Sequence, residues 1–327
     1  MAMLLGIPAT NRLFSKNQRT ALAATVMLVL FVALASYFPE VQAIDTAYRE
    51  QQGIELEYHS SSTEVEEAAE ASAPEVGAAA EAEAEAPVDP EADTATEPVA
   101  TNALIRSITW VPELGLALSF YLDGLSLMFS LIVTGIGAGI FLYAGFYFEE
   151  EEDQSRFFAI LYAFAGAMLG LVLSGNLLTL FIMWELTSIT SFLLIGFKGA
   201  KYESARFGAM QAFAITGMGA LGLIAGFVLL AFISGDVLNG GGFVFDLAQI
   251  LQADPAAVGG HPLYAGALIL IAFGAFTKSA QFPFHFWLPG AMSAPTPASA
   301  YLHSATMVKA GIFLMAIVCS AVAMHWA

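Results

Sequence analysis

GALILIAFGAFTKSAQFPFHFWLPG, residues 266–290, reads as a membrane helix that is broken partway along. Its first half is apolar enough to lie in hydrocarbon, yet it carries Lys278 and then Pro283 and Pro289. Pro283 has no N–H to offer the carbonyl of Ser279, four residues back. A freed carbonyl at membrane depth is tolerated only inside protein or beside a wet cavity. Broken helices next to a charge are a feature of transporter ion sites. Thr277, Ser279, Gln281 and His285 supply further polar atoms, and together they form a candidate polar path around the break.

The rest of the chain suits that reading. Of 327 residues, 57% are hydrophobic and 12% charged, with a mean hydropathy of +0.70. An average soluble domain is about 25% charged, so the composition indicates an all-α integral membrane protein. Seven apolar stretches approach or exceed the roughly 20 residues a spanning helix requires: 20–38, 118–147, 157–174, 177–197, 209–233, 263–288 and 298–325. Glycines four apart (Gly135 and Gly139, Gly166 and Gly170, Gly222 and Gly226) are expected to let these helices approach closely.

The net charge of -18 is concentrated in one place. Residues 39–101 hold seventeen Asp and Glu against Arg49, which accounts for -16. Three domains follow: an N-terminal segment with the first span (1–38), an acidic Ala/Glu/Pro-rich insert (39–109) and a membrane domain (110–327). The insert has too few large apolar residues to offset its ordering entropy and is expected to be disordered. A nearly neutral membrane body with an acidic tether gives no footing for nucleic acid.

Basic residues set the orientation. With the N-terminus cytoplasmic, Arg12, Lys16, Arg19, Arg156, Lys198, Lys201 and Arg206 fall inside, and Arg49 and Arg106 outside. That obeys the positive-inside rule and puts the insert outside the cell. The first apolar run, followed by Val41-Gln42-Ala43, also has the outline of a signal peptide. Its 19 residues exceed the usual 7–15-residue core of such a leader, which favours a retained span.

Three ionisable residues stand at mid-span: Glu185, Lys278 and Lys309. Each costs about 2.5–3.5 kcal/mol at the bilayer centre, and such residues mark ion pathways or proton relays. Their similar depth predicts a buried ion-pair network. Burial disfavours a charged form and an opposite charge restores it, so a Lys whose Glu partner approaches or withdraws is a switchable proton carrier. His303, six residues before Lys309, stands about 9 Å away along the same helix and is the better relay candidate of the two histidines. No zinc-spaced Cys/His cluster, Walker motif or Rossmann fingerprint occurs, so neither a metal nor a cofactor is expected. Cys319 stands alone and excludes an internal disulfide.

Three longer stretches resemble one family: LDGLSLMFSLIVTGIG (122–137), WELTSITSFLLIGF (184–197) and FTKSAQFPFHFWLPGAMSAPTPASAYLHSATMVKAG (276–311). This is the antiporter-like family, which includes the large A subunits of Mrp-type sodium/proton antiporters and the proton-pumping chains of respiratory complex I. The match runs from about residue 110 to the end. MVKAG, with Lys309, is more similar to the Mrp branch. The resemblance implies that Glu185 and Lys278 form the pair that drives each translocation step, with His303 and Lys309 passing protons onward. It also implies a multisubunit antiporter of the plasma membrane exchanging H⁺ for Na⁺. Asp123 and Arg156 fall in the matched stretches without an implied role. The family has paired inverted repeats, of which only the first is seen here, so the chain is expected to be a first-half fragment or a split-gene subunit whose second half-channel is a partner. The alternative reading is a proton-pumping membrane chain of complex I or a related redox complex.

Overall fold

Two polar side chains decide where the central spans begin. Asp123 accepts from the backbone N–H of Ser126 at 2.7 Å, and Asn176 accepts from Leu178 N at 2.9 Å. Each satisfies an N–H that the first helical turn leaves unpaired. The computed structural model describes residues 15–52, 103–111, 116–148 and 151–323. Most of the insert, 53–102, lies outside the described residues, and so does its expected disorder.

The long apolar helices are α1 (Lys16–Ala35), α3 (Gly124–Tyr147), α4 (Glu151–Val172), α5 (Leu177–Ile195), α6 (Glu203–Asn239) and α12 (Met307–Ala323), with α2 (Phe38–Gln52) continuing the direction of α1. Short helices α7 (Leu247–Gln252) and α8 (Pro255–Gly260) lead into α9 (Tyr264–Lys278), and α10 (Trp287–Ala291) and α11 (Thr296–Ala300) lead into α12. Six segments among the described residues are long and apolar enough to cross a membrane, and α9 is a shorter seventh. This is an all-α membrane bundle. Phe146, Leu221 and Ile269 stand exposed on its outside, as expected where the surrounding solvent is hydrocarbon.

Two boundaries differ from the sequence expectation. Residues 39–52 of the expected insert belong to α2. The apolar run from 118 is not helical until Gly124: Leu104–Val111 (β1) and Leu116–Leu122 (β2) pair antiparallel, with Leu104 opposite Leu122 and an irregularity between Thr109 and Val111. The alternating LALSFYL run suits a strand, and the Asp123 cap starts the helix only after it. Gly175 N donates to Ser119 O and Leu247 N to Gly175 O, lacing the hairpin, the α4–α5 turn and the segment after α6 together at one end of the bundle. At the other end, Arg156, Lys198 and Lys201 line one cleft with Asp153 and Tyr147.

Glycine decides which helices touch. On α6, a Cβ at Gly226 would stand 2.8 Å from Ile271 Cγ1, and one at Gly222 2.6 Å from Phe273, so both sit hard against α9. Gly135 faces Phe31 of α1 and Gly170 faces Met183 of α5, whereas Gly139 and Gly166 look into open space. The first helix also packs through buried Arg19, Thr20, Ala23 and Met27. Arg19 Nη1 donates to Ser155 Oγ at 3.1 Å, and Tyr162 donates to the Ala23 carbonyl at 2.9 Å.

Candidate functional site

The expected break falls directly after Lys278. Fifteen residues rise about 22 Å, less than the roughly 30 Å of hydrocarbon, so the end of α9 lies within membrane depth. Ser279 caps the helix, Ala280 takes the left-handed conformation at φ 50°, and Gln281 N bonds back to Phe276 O at 2.9 Å. With Ala280 N reaching Thr277 O at 3.4 Å, this is a Schellman termination. The orphaned carbonyls are satisfied locally. Trp287 Nε1 donates to Thr277 O at 2.9 Å, and Gln281 Nε2 meets Ser279 O, the carbonyl that Pro283 leaves without a donor, at 3.4 Å. Pro283 precedes a single 3-10 turn, Phe284–Phe286, and Pro289 stands within α10.

Lys278 is completely buried. Its Nζ donates to Trp184 O at 2.6 Å, Thr187 Oγ1 at 2.6 Å and Ser188 Oγ at 3.1 Å, all on α5. It also stands 4.3 Å from the centre of the Trp184 ring. Glu185 is on the same turn, but among the described residues no ion pair joins it to Lys278 within 4.0 Å, and its Oε1 is buried without a hydrogen-bond partner. The expected salt bridge is therefore open here, because the lysine is fully engaged by neutral oxygens one position round the helix.

The remaining candidates separate. Thr277 is buried and spends its hydroxyl on Gly274 O at 2.8 Å, and Ser279 donates to Val308 O at 2.7 Å, joining α9 to α12. Gln281 and His285 are exposed, with His285 stacked on Phe282, so they line no buried path near Lys278. His303 sits in a π-helical turn, Tyr301–Ala305, that separates α11 from α12. Its ring is 6.3 Å from that of Trp287, and neither ring nitrogen has a hydrogen-bond partner of normal geometry. Lys309 is exposed on the first turn of α12, outside the buried cluster. The expected network of three buried charges thus reduces to Lys278 with Glu185 nearby.

Sequence reading missed Trp184, Thr187 and Ser188. Their spacing at i, i+3 and i+4 was visible in WELTS, but hydroxyls on a membrane helix commonly satisfy their own backbone. Asp123 and Arg156 acquire structural roles. Asp123 caps α3, and Arg156 covers the Phe197 ring at 4.4 Å.

Comparisons with known proteins agree with this architecture. Residues 174–327 match the family model described as NADH:quinone oxidoreductase/Mrp antiporter, TM, and residues 108–158 match NADH-Ubiquinone oxidoreductase (complex I), chain 5 N-terminus. The A/B subunit of a probable K(+)/H(+) antiporter from Rhizobium meliloti is 52% identical over 218 residues, covering 66% of this chain and 21% of that protein. The A1 subunit of a Na(+)/H(+) antiporter from Staphylococcus haemolyticus is 48% identical over 215 residues, 66% of this chain and 26% of the relative. The chain therefore spans about a fifth to a quarter of these curated relatives. The Mrp complex of a Dietzia species superposes with a TM-score of 0.58 at 39% identity, covering 65% of this chain and 22% of that one. Through residues 108–158 and 174–327, the chain belongs to the antiporter-like membrane family shared by Mrp antiporters and NADH:quinone oxidoreductase.

Proposed function

We propose that this chain is one component of a multisubunit monovalent cation/H⁺ antiporter, driven by the proton motive force and residing in the plasma membrane. It supplies one proton half-channel, a partner element supplies the second, and Na⁺ is the first candidate for the exchanged cation. Lys278 carries the proton, Glu185 is its charge partner, and His303 and Lys309 relay protons onward. The observation that carries this reading is a fully buried lysine at a helix break inside the membrane, held by a neighbouring span. A merely structural helix has little reason to retain so costly a group. The names of the relatives, Na(+)/H(+) and K(+)/H(+) antiporter subunits, support the reaction class and leave K⁺ as the competing cation.

Lys278→Ala and Glu185→Ala are each expected to abolish antiport in membrane vesicles while the chain still assembles with its partners. Full activity in either variant overturns that assignment. The family description also names NADH:quinone oxidoreductase, which favours a second reading as the proton-pumping chain of a redox complex. Co-purification separates them: small hydrophobic antiporter subunits support the first, and iron–sulfur subunits the second.

A further inference from the structure

The end of the bundle opposite the hairpin holds a cleft of about 480 Å³ that the buried lysine site does not use. Three cations line it, each laid along an aromatic ring: Arg156 over Phe197 at 4.4 Å, Lys198 over Tyr147 at 5.3 Å and Lys201 over Tyr202 at 5.8 Å. Resting on a ring restricts each cation, so less freedom is lost when a ligand arrives. The tyrosines suit the boundary between membrane and water, where amphipathic rings collect.

The charges are unevenly matched. On the α4 side, Asp153 stands 3.4 Å from Arg156, and four glutamates, 149–152, precede it in the sequence. On the other side, among the described residues, neither Lys198 nor Lys201 has a carboxylate within 4.0 Å. An ammonium group has three donors, and Lys198 Nζ has one hydrogen bond there, to Tyr147 Oη at 3.5 Å. The lysine pair therefore presents positive charge and open donors to an anion.

An apolar groove of about 300 Å³ adjoins the lysines. Cleft and groove share Ala200, and the groove continues between α5 and α6 past Gly196, Leu193 and Ala209 to Phe192. Small residues keep it open: a Cβ at Gly196 would already stand 3.3 Å from that of Ala209. Because α5 ends and α6 begins at this level, the groove leads from the cleft back into the apolar length of both spans. A cationic cleft at the boundary with an apolar channel beneath it has the outline of a phospholipid. A free phosphate would leave the channel unused.

We propose that Lys198 and Lys201 bind the phosphate of an anionic phospholipid, one acyl chain of which lies in the groove between α5 and α6. Basic pockets between spanning helices recognise such headgroups. A lipid so placed braces the turn between α5, which holds Lys278, and α6, which packs against α9. The inference does not depend on which ions the complex moves.

The test uses the assembled complex in phosphatidylcholine vesicles containing phosphatidylglycerol with a diazirine partway along one acyl chain. After illumination, labelled peptides are mapped by mass spectrometry. Label is expected on residues 192–209, about thirtyfold above that from phosphatidylcholine carrying the same chain, as two cations facing an anionic lipid imply. Lys198→Gln/Lys201→Gln is expected to bring the two lipids level there, with the chain still in the complex and label elsewhere unchanged. Lys198→Arg/Lys201→Arg keeps the charges and is expected to keep the preference. Equal label from both lipids in the wild type overturns the proposal. So does an unlabelled stretch, which would give the cleft to a partner subunit, and so does a preference that survives the Gln substitutions. Loss of label to excess inorganic phosphate overturns the lipid source and assigns the lysines to a free anion. If the Gln variant fails to assemble, the wild-type complex at high salt makes the same comparison, because salt screens the phosphate contact and leaves the acyl contact. A preference unchanged by salt then overturns the site.

Discussion

Ala280 is the residue on which the break turns. Its φ of 50° lies in the left-handed region, where a Cβ crowds the following carbonyl at a cost of about 1–2 kcal/mol. Glycine is the usual occupant of that position in a Schellman termination. Ala280→Gly is therefore expected to stabilise the assembled protein by about 0.5–1 kcal/mol, read as a higher thermal midpoint, without loss of transport. A lower midpoint would mean that the conformation is held at no cost. The same scale separates what was legible from what was not. Lys278 stood out because a charge in an apolar run is conspicuous. Thr187 and Ser188 did not, because their role exists only once a lysine from another helix reaches them.

Among the elements, α6 and α9 depend on each other through glycine. A Cβ at Gly226 would stand 2.9 Å from the backbone N of Ile271 and 3.0 Å from the Ala267 carbonyl, neither of which can swing aside. Gly226→Leu is expected to destabilise the protein by about 1–3 kcal/mol through overpacking and to displace the helix that carries Lys278. Gly139→Leu, with nothing within 4 Å of its Cβ direction, is expected to stay within about 0.5 kcal/mol. Thermal unfolding in detergent distinguishes them, and equal losses would contradict the packing described. Glycines four apart were visible in the sequence, but the spacing alone did not tell Gly222 and Gly226, which both meet α9, from Gly139 and Gly166, which meet nothing. The β1–β2 hairpin was missed for a related reason. An apolar strand running into an apolar helix has no change of composition at the join, and only the Asp123 cap marks it.

For the whole molecule, Arg156, Lys198 and Lys201 line one cleft at the end of the bundle that the positive-inside rule would assign to the cytoplasm. A cysteine replacing Ser61 is expected to react with a membrane-impermeant thiol reagent in intact cells. One replacing Lys201 is expected to react only in inverted vesicles. The opposite pattern would reverse the orientation.

Read by itself, the sequence determined the solvent, the number of apolar segments, the helix break and the identity of the costly residues. Those are consequences of composition and of local backbone chemistry: too few charges for water, too much apolar length for anything but hydrocarbon, and a proline that cannot donate. The tertiary structure decided the partners. Lys278 lies on the oxygens of Trp184, Thr187 and Ser188 rather than on the carboxylate of Glu185, and Lys309 stands outside the buried cluster. Which acceptor a buried ammonium meets depends on the rotation of one helix against another. That rotation is set by glycine contacts and side-chain packing between segments about ninety residues apart, which no local pattern encodes.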